Sequence, residues 1–148
     1  MKKIIYIIFI CLITQFALAA GSDSSSDNTI SNPFNEAKKL VKRAGKLEKK
    51  EKNDKAKKLY SQAFKKLEKA YASNKDNPDI LNYMGYTSRK VGNFEKAEKF
   101  YLKGLKLDAG HLGINEYLGE LYVQTGRIEL AKEKLKTLNG CKCEEYEE

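Results

Sequence analysis

The sequence lacks tryptophan, has one histidine, His111, and has only two prolines among its 148 residues. A single histidine excludes any metal site built on paired imidazoles, and so few prolines leave long helices uninterrupted. No glycine-rich phosphate loop and no set of serine, histidine and aspartate stands out. These absences predict a protein that is not an enzyme and that carries no cofactor and no metal.

Cysteine is also scarce, with three copies in the whole chain. Cys141 and Cys143 are separated by one residue, so a disulfide between them would close a small, strained ring. Such a bridge would be readily reduced, and two thiolates alone would fill only half of a tetrahedral metal site. Four roles stay open for the pair: structural or incidental closure of the last helix, redox exchange, metal binding and intermolecular pairing.

The first 19 residues have the pattern of a secretory signal peptide. Lys2 and Lys3 form a positive start, an apolar run covers residues 4–18, and residues 17–19 supply an Ala-Leu-Ala cleavage site. Polar residues interrupt the run, which is also shorter than the roughly 20 apolar residues of a membrane-spanning helix. We therefore predict export and cleavage, with a soluble mature protein in the periplasm.

Residues 20–32 are rich in serine and aspartate and predict a disordered linker. Beyond them the charge is uneven: the formal net charge is +8, and Lys and Arg far outnumber Asp and Glu in residues 34–75. This basic region suits an anionic partner or membrane headgroups, and it also suits the solvated side of any surface helix. Export would separate the protein from nucleic acid, so we expect no nucleic-acid partner.

The folded region begins with two predicted helices. Asn32 and Pro33 have the pattern of a helix start, and apolar residues follow at helical spacing. A second apolar stripe runs from Ala56 to Tyr71, and Pro78 lies a few residues beyond it. This stripe predicts the longest helix of the chain, which ends before the proline.

The remaining chain repeats itself with a period of 34 residues. The residues brought into register are Gly85 and Gly119, Gly92 and Gly126, Ala97 and Ala131, and Tyr101 and Leu135. Small residues at such positions allow two antiparallel helices to approach each other, and each helix pair leaves an apolar face for its neighbour to cover. Four matches in one phase predict a stack of helix pairs, with Gly119 at a close helix contact.

This pattern resembles the tetratricopeptide repeat, a helix-turn-helix unit of about 34 residues. Residues 78–111 and 112–145 fit its slots for Gly, Ala and a large residue, and residues 37–77 resemble a degenerate first copy. The closing residues look similar to those of small exported members from Gram-negative bacteria. The resemblance implies an all-α, right-handed solenoid of about three helix pairs in a domain spanning 33–148. His111, at the junction between two repeats, is expected to be a cap or surface residue.

In that family the first helix of each pair lines a concave groove that binds a peptide or protein, so the resemblance implies a non-enzymatic scaffold. Carried over by position, the groove candidates are Asp79, Asn82, Tyr86, Arg89, Lys90, Gly113, Glu116, Glu120, Val123 and Gln124. All are expected to lie outside the packed core. The lysine and asparagine clamp that some members use for a terminal carboxylate is not seen, so the partner stays unidentified. The alternative function is a thiol redox or metal-binding protein that uses Cys141 and Cys143.

Overall fold

A computed structural model describes residues 32–140 as six successive α-helices, with no strand among the described residues. The helices are α1 (Pro33–Glu48), α2 (Asn53–Ser73), α3 (Pro78–Lys90), α4 (Phe94–Leu107), α5 (Leu112–Gln124) and α6 (Ile128–Asn139). They pack as the pairs α1 with α2, α3 with α4 and α5 with α6, and each pair contacts the next. The predicted all-α stack of three helix pairs is confirmed. The expected signal peptide, nearly all of the expected linker, and Cys141 and Cys143 lie outside the described residues.

Asparagine and proline mark where two of the pairs begin. The side chain of Asn32 accepts a hydrogen bond from the backbone N–H of Phe34 at 2.9 Å, and Asn77 caps α3 in a similar way. Pro33 and Pro78 follow these caps in the first helical turn, where the missing N–H of proline removes no helical hydrogen bond. The two prolines of the chain therefore open the first and second helix pairs.

The turn inside each pair contains a residue with left-handed backbone conformation. Gly92 and Gly126 supply it in the second and third pairs, with φ angles of 90° and 74°. In the first pair Glu51 takes this position with a φ of 57°, a conformation that costs a residue with a Cβ about 1–2 kcal/mol. The degenerate first pair thus keeps the turn of the other two without its glycine. Its second helix, α2, has 21 residues and is the longest in the described part of the chain, as predicted.

Two tyrosines of the second helices occupy equivalent places in the core. Tyr60 of α2 and Tyr101 of α4 are both fully buried. The ring of Tyr101 lies against Gly85 of α3, and Tyr60 packs in a cluster with Ala44 of α1. A small residue on the first helix therefore faces a tyrosine on the second helix in both pairs. Within residues 32–140, none of the helices combines the length and apolar character needed to cross a membrane.

The third pair departs from this arrangement, because Gly119 lies at a contact with α6, as expected, but with more room than Gly85 has. A Cβ added to Gly85 would lie 2.4 Å from the Tyr101 ring, whereas a Cβ added to Gly119 would lie 3.4 Å from the Cβ of Lys134, an ordinary contact distance. The physical reason is the residue in the tyrosine slot. Leu135 stands there in α6, and it is 51% exposed instead of covering the glycine.

Replacement of Gly85 by alanine should destabilise the fold by about 1–3 kcal/mol, because the new Cβ overlaps a ring that is fully enclosed. Gly119→Ala is the matched control. It should be neutral or stabilising by up to about 1 kcal/mol, since alanine has the higher helix propensity and meets no obstruction. Urea unfolding followed by circular dichroism measures both changes, and equal unfolding midpoints for the two variants would contradict the packing described here.

Candidate functional site

The first helices of the three pairs lie side by side, α1 against α3 and α3 against α5. Together they enclose a cavity of about 330 Å³, which we call the groove. Its lining residues are Val41, Asp79, Asn82, Tyr83, Tyr86, His111, Gly113, Glu116 and Tyr117. The cavity wall therefore contains residues of all three first helices, together with His111, which precedes α5.

Only some of the predicted groove residues meet in this cavity. The ones that line it are Asp79, Asn82, Tyr86, Gly113 and Glu116. Glu120 and Val123 lie instead at a second depression between α5 and α6. Arg89, Lys90 and Gln124 are not among the lining residues of the groove. The sequence-based assignment thus includes five residues of the cavity wall and five that lie outside it.

Sequence reasoning missed two of the three tyrosines in the groove, Tyr83 and Tyr117. They are separated by 34 residues and therefore occupy the same position in two successive repeats. This repeated position could have identified both tyrosines from the sequence. Tyr117 lies 4.9 Å from Tyr86 between ring centroids, so two aromatic rings from adjacent helices meet in the cavity wall. Contact between Tyr86 and Tyr60, at 5.9 Å, continues the aromatic cluster into the first pair.

Arg89 forms the floor beneath these rings, and the expectation that it lies outside the packed core is wrong. It is only 5% exposed. Its guanidinium carbon lies 5.7 Å from the ring centroids of both Tyr86 and Tyr117, and it forms an ion pair with Glu120 of α5. The cation is held where two rings and one carboxylate offset the cost of burying its charge. Asn82, also expected outside the core, is likewise buried, at 7% exposed.

The hydroxyl of Tyr101 lies close to this buried cation. Burial lowers the pKa of Arg89, but Tyr101 and Glu120 raise it more, so the net direction is upward and the guanidinium stays charged. Burial raises the pKa of Tyr101, which the guanidinium of Arg89 partly offsets. The charge on Arg89 of α3 therefore pairs with Glu120 of α5 and lies near Tyr101 of α4.

Lys90, the next residue, forms an ion pair with α1 instead of α5. Its Nζ lies 3.0 Å from Oε2 of Glu48 in α1, which also accepts a hydrogen bond from the hydroxyl of Tyr60 at 2.9 Å. Burial raises the pKa of Tyr60, so its hydroxyl keeps the proton that it donates. This ion pair connects the first two helix pairs, and it leaves Lys90 tied to α1.

One end of the groove is built around His111, which the structure confirms as a helix cap. The backbone N–H of Ile114 donates to Nδ1 of His111 at 3.2 Å. The other ring nitrogen, Nε2, lies 3.1 Å from Oδ1 of Asp79. Since Nδ1 accepts a hydrogen bond, Nε2 carries the ring proton and donates a hydrogen bond to the carboxylate. His111 thereby joins the start of α5 to the start of α3.

Part of the basic region of residues 34–75 is gathered into one surface. Five cationic side chains surround a depression between α1 and α2, together with Glu36, Leu40 and Gln62. These cations, which we call the basic surface, are Lys39, Arg43, Lys65, Lys66 and Lys69. Lys66 forms an ion pair with Glu36. The basic surface and the groove share no lining residue.

In residues 32–140, no three side chains of histidine, cysteine, aspartate or glutamate converge as metal ligands. At the last helix pair, Val123, Ile128 and Leu135 are between 47% and 58% exposed, which makes an apolar surface. In the groove, aromatic, amide and carboxylate groups of α3 and α5 come together, beside Val41 of α1.

The fold defines a class, that of helical repeat proteins built from helix-turn-helix pairs. Residues 78–111, which contain α3 and α4, match the family model of the tetratricopeptide repeat. The second pair of the chain is thus similar to a tetratricopeptide repeat. No curated protein matches the sequence.

Solved tetratricopeptide domains have similar structures. The first domain of Spaghetti (RPAP3), bound to the HSP90 peptide SRMEEVD, is 16% identical over 76% of this chain and 86% of its own, with a TM-score of 0.51. The Sgt2 domain from Aspergillus fumigatus is 19% identical, with coverages of 76% and 72% and a TM-score of 0.49. The second domain of human RPAP3, in complex with the HSP70 peptide SGPTIEEVD, is 19% identical, with coverages of 77% and 91% and a TM-score of 0.48. The first of these likenesses supports the fold.

Replacement of Arg89 by alanine should destabilise the protein by about 2 kcal/mol, because it removes a buried cation that contacts two rings and pairs with Glu120. Lys90→Ala is the matched control, since Lys90 is the adjacent cation and its side chain is 28% exposed. Loss of its ion pair should cost less than about 1 kcal/mol. Urea unfolding measures both values. An Arg89→Ala variant as stable as the Lys90→Ala variant would contradict a structural role for the buried charge.

Proposed function

We propose that the chain is a non-enzymatic scaffold that holds a peptide, or a segment of a protein partner, in the groove. The observation that carries this proposal is the chemistry of the cavity, where three tyrosine rings, a buried amide and two carboxylates line one space of about 330 Å³. Specific ligand sites in proteins have volumes of about 300–1,000 Å³ and combine apolar or aromatic walls with a few polar groups. Tyrosine also contributes more binding energy at interfaces than most residues do.

The solved structures support the same class of function. The first domain of Spaghetti (RPAP3), which shares the fold, was determined with a bound HSP90 peptide. Peptide binding by a stack of this kind needs no chemistry beyond a preformed surface, because the helices hold the side chains in place before the ligand arrives. The network of Arg89, Glu120 and the contacting rings of Tyr86 and Tyr117 supplies such rigidity here.

The groove proposal is tested by selecting peptides from a phage-displayed random library against the protein and measuring their dissociation constants. Tyr86→Ala should weaken binding about tenfold, because it removes an aromatic wall of the cavity. Leu102→Ala is the control, since Leu102 is 42% exposed on α4, away from the three first helices.

A double variant, Cys141→Ser with Cys143→Ser, separates the scaffold from a thiol-dependent activity. It should bind the selected peptides as the unchanged protein does, because a peptide in the groove makes no use of thiolate chemistry. Melting curves establish that each variant is folded. Peptide binding that survives Tyr86→Ala and disappears in the cysteine variant would overturn the proposal.

The proposal also includes a location, the periplasm of a Gram-negative bacterium. Support comes from the two lysines, the apolar run and the Ala-Leu-Ala sequence within residues 1–19. An anionic contact of the basic surface belongs to the same proposal, since membrane headgroups would be the nearest large anionic surface after export and clustered cations are attracted to them.

Fractionation of a Gram-negative host that expresses the chain tests this location. The protein should appear in the periplasmic fraction with an intact mass that begins at Ala20. Ala19→Tyr should block processing, because the cleavage site requires a small residue at that position. Lys38→Ala, on the exposed side of α1, is the control and should leave processing unchanged. A cytoplasmic protein that retains residues 1–19 would contradict the assignment.

A further inference from the structure

The charges that line the groove have one sign. Two carboxylates, Asp79 and Glu116, belong to its wall, and no lysine or arginine within residues 32–140 does. Tyr83, Tyr86 and Tyr117 add ring faces, which carry a negative electrostatic potential. The carboxylate of Asp79 already accepts a bond from His111, yet its side chain is 63% exposed, so the group remains accessible from the cavity.

A buried acceptor at the same place gives an independent indication of the ligand. Asn82 lines the groove and is 93% buried, and its Oδ1 has no hydrogen-bond partner among residues 32–140. Nearly all buried polar side-chain atoms in proteins have a partner, so an unpaired acceptor in a cavity wall calls for a donor from outside. An incoming N–H group would meet this requirement.

The nearest cations of the protein do not fill this role. Arg89 pairs with Glu120, and Lys90 pairs with Glu48. Arg89 instead shows that these tyrosines can hold a guanidinium, since its guanidinium carbon lies 5.7 Å from the ring centroids of both Tyr86 and Tyr117. Rings in such positions bind cations through the electrons of their faces.

We propose that the groove selects a lysine or arginine side chain of its peptide partner, held by Asp79, Glu116, the free Oδ1 of Asn82 and the surrounding tyrosine rings. This inference rests on the proposed peptide-binding function and names the chemistry that the ligand must present. An ammonium or guanidinium carries only hydrogen-bond donors, which matches a wall of carboxylate and amide oxygens. An acidic peptide such as the SRMEEVD bound to the Spaghetti domain would place its carboxylates against Asp79 and Glu116.

The test uses the protein as purified from the periplasmic fraction and three pools of fluorescein-labelled peptides with both ends blocked. Each pool has one fixed central residue, which is arginine, glutamate or citrulline, and flanks randomised among uncharged residues. Citrulline has nearly the shape of arginine without its charge, so it isolates the electrostatic part of binding. The arginine pool should bind about tenfold more tightly than the citrulline pool, as measured by fluorescence anisotropy.

The variants locate this preference. Asp79→Asn combined with Glu116→Gln should abolish the advantage of arginine over citrulline, while circular dichroism shows an unchanged fold. Glu95→Gln combined with Glu133→Gln is the matched control, because it removes the same charge from exposed positions on α4 and α6 and should keep the advantage. The net positive charge of the protein favours glutamate peptides non-specifically, so a preference for arginine has a local origin.

The possible failures are distinguishable. If arginine, citrulline and glutamate pools bind equally, and Tyr86→Ala weakens all of them, the cation preference is wrong and the scaffold proposal stands. The same conclusion follows if glutamate binds most tightly, or if the control pair of substitutions removes the preference as fully as the groove pair does. If no pool responds to Tyr86→Ala, the groove is not the peptide site and both proposals fail.

Discussion

A tyrosine ring packed against a small residue sets the geometry on which the rest of this structure depends. In the second pair the Tyr101 ring fills the space that a Cβ on Gly85 would need, so α3 and α4 approach each other closely. Tyr60 and Ala44 repeat the arrangement in the first pair. With the second helices anchored in this way, the first helices are left free to lie beside one another and to form the groove.

Some residues contribute both to the stability of the fold and to the candidate site, and two of them contact Arg89. A buried cation is costly unless rings and carboxylates surround it, and here Tyr86, Tyr117 and Glu120 do so. The same two tyrosines form part of the groove wall. The charge that joins α3 to α5 thereby also orients the surface that we propose binds a peptide, which is why a position-based assignment did not separate the two roles.

Helix periodicity predicted the three pairs, the cap at His111 and the long α2, because these depend on short-range patterns that the sequence carries directly. The burial of individual side chains was harder to predict. The position of Arg89 in its repeat indicates which way the side chain points, but not how deeply its neighbours bury it. The tightness of the contact at Gly119 was not predictable for a related reason. Its phase matched that of Gly85, but the contact depends on the residue opposite, and Leu135 does not cover it as Tyr101 covers Gly85.

The charge of the whole chain and the charge of the groove have opposite signs, and they act over different distances. The net charge of +8, with five cations gathered on the basic surface, repels a cationic peptide at long range. Salt at physiological strength screens such fields beyond about 8 Å, whereas contacts with Asp79, the Asn82 amide and the tyrosine rings form at shorter range. Association with the ligand that we propose would therefore be slowed in dilute salt, and selectivity would arise after the peptide enters the groove. A groove of this kind discriminates between bound peptides by how slowly they leave.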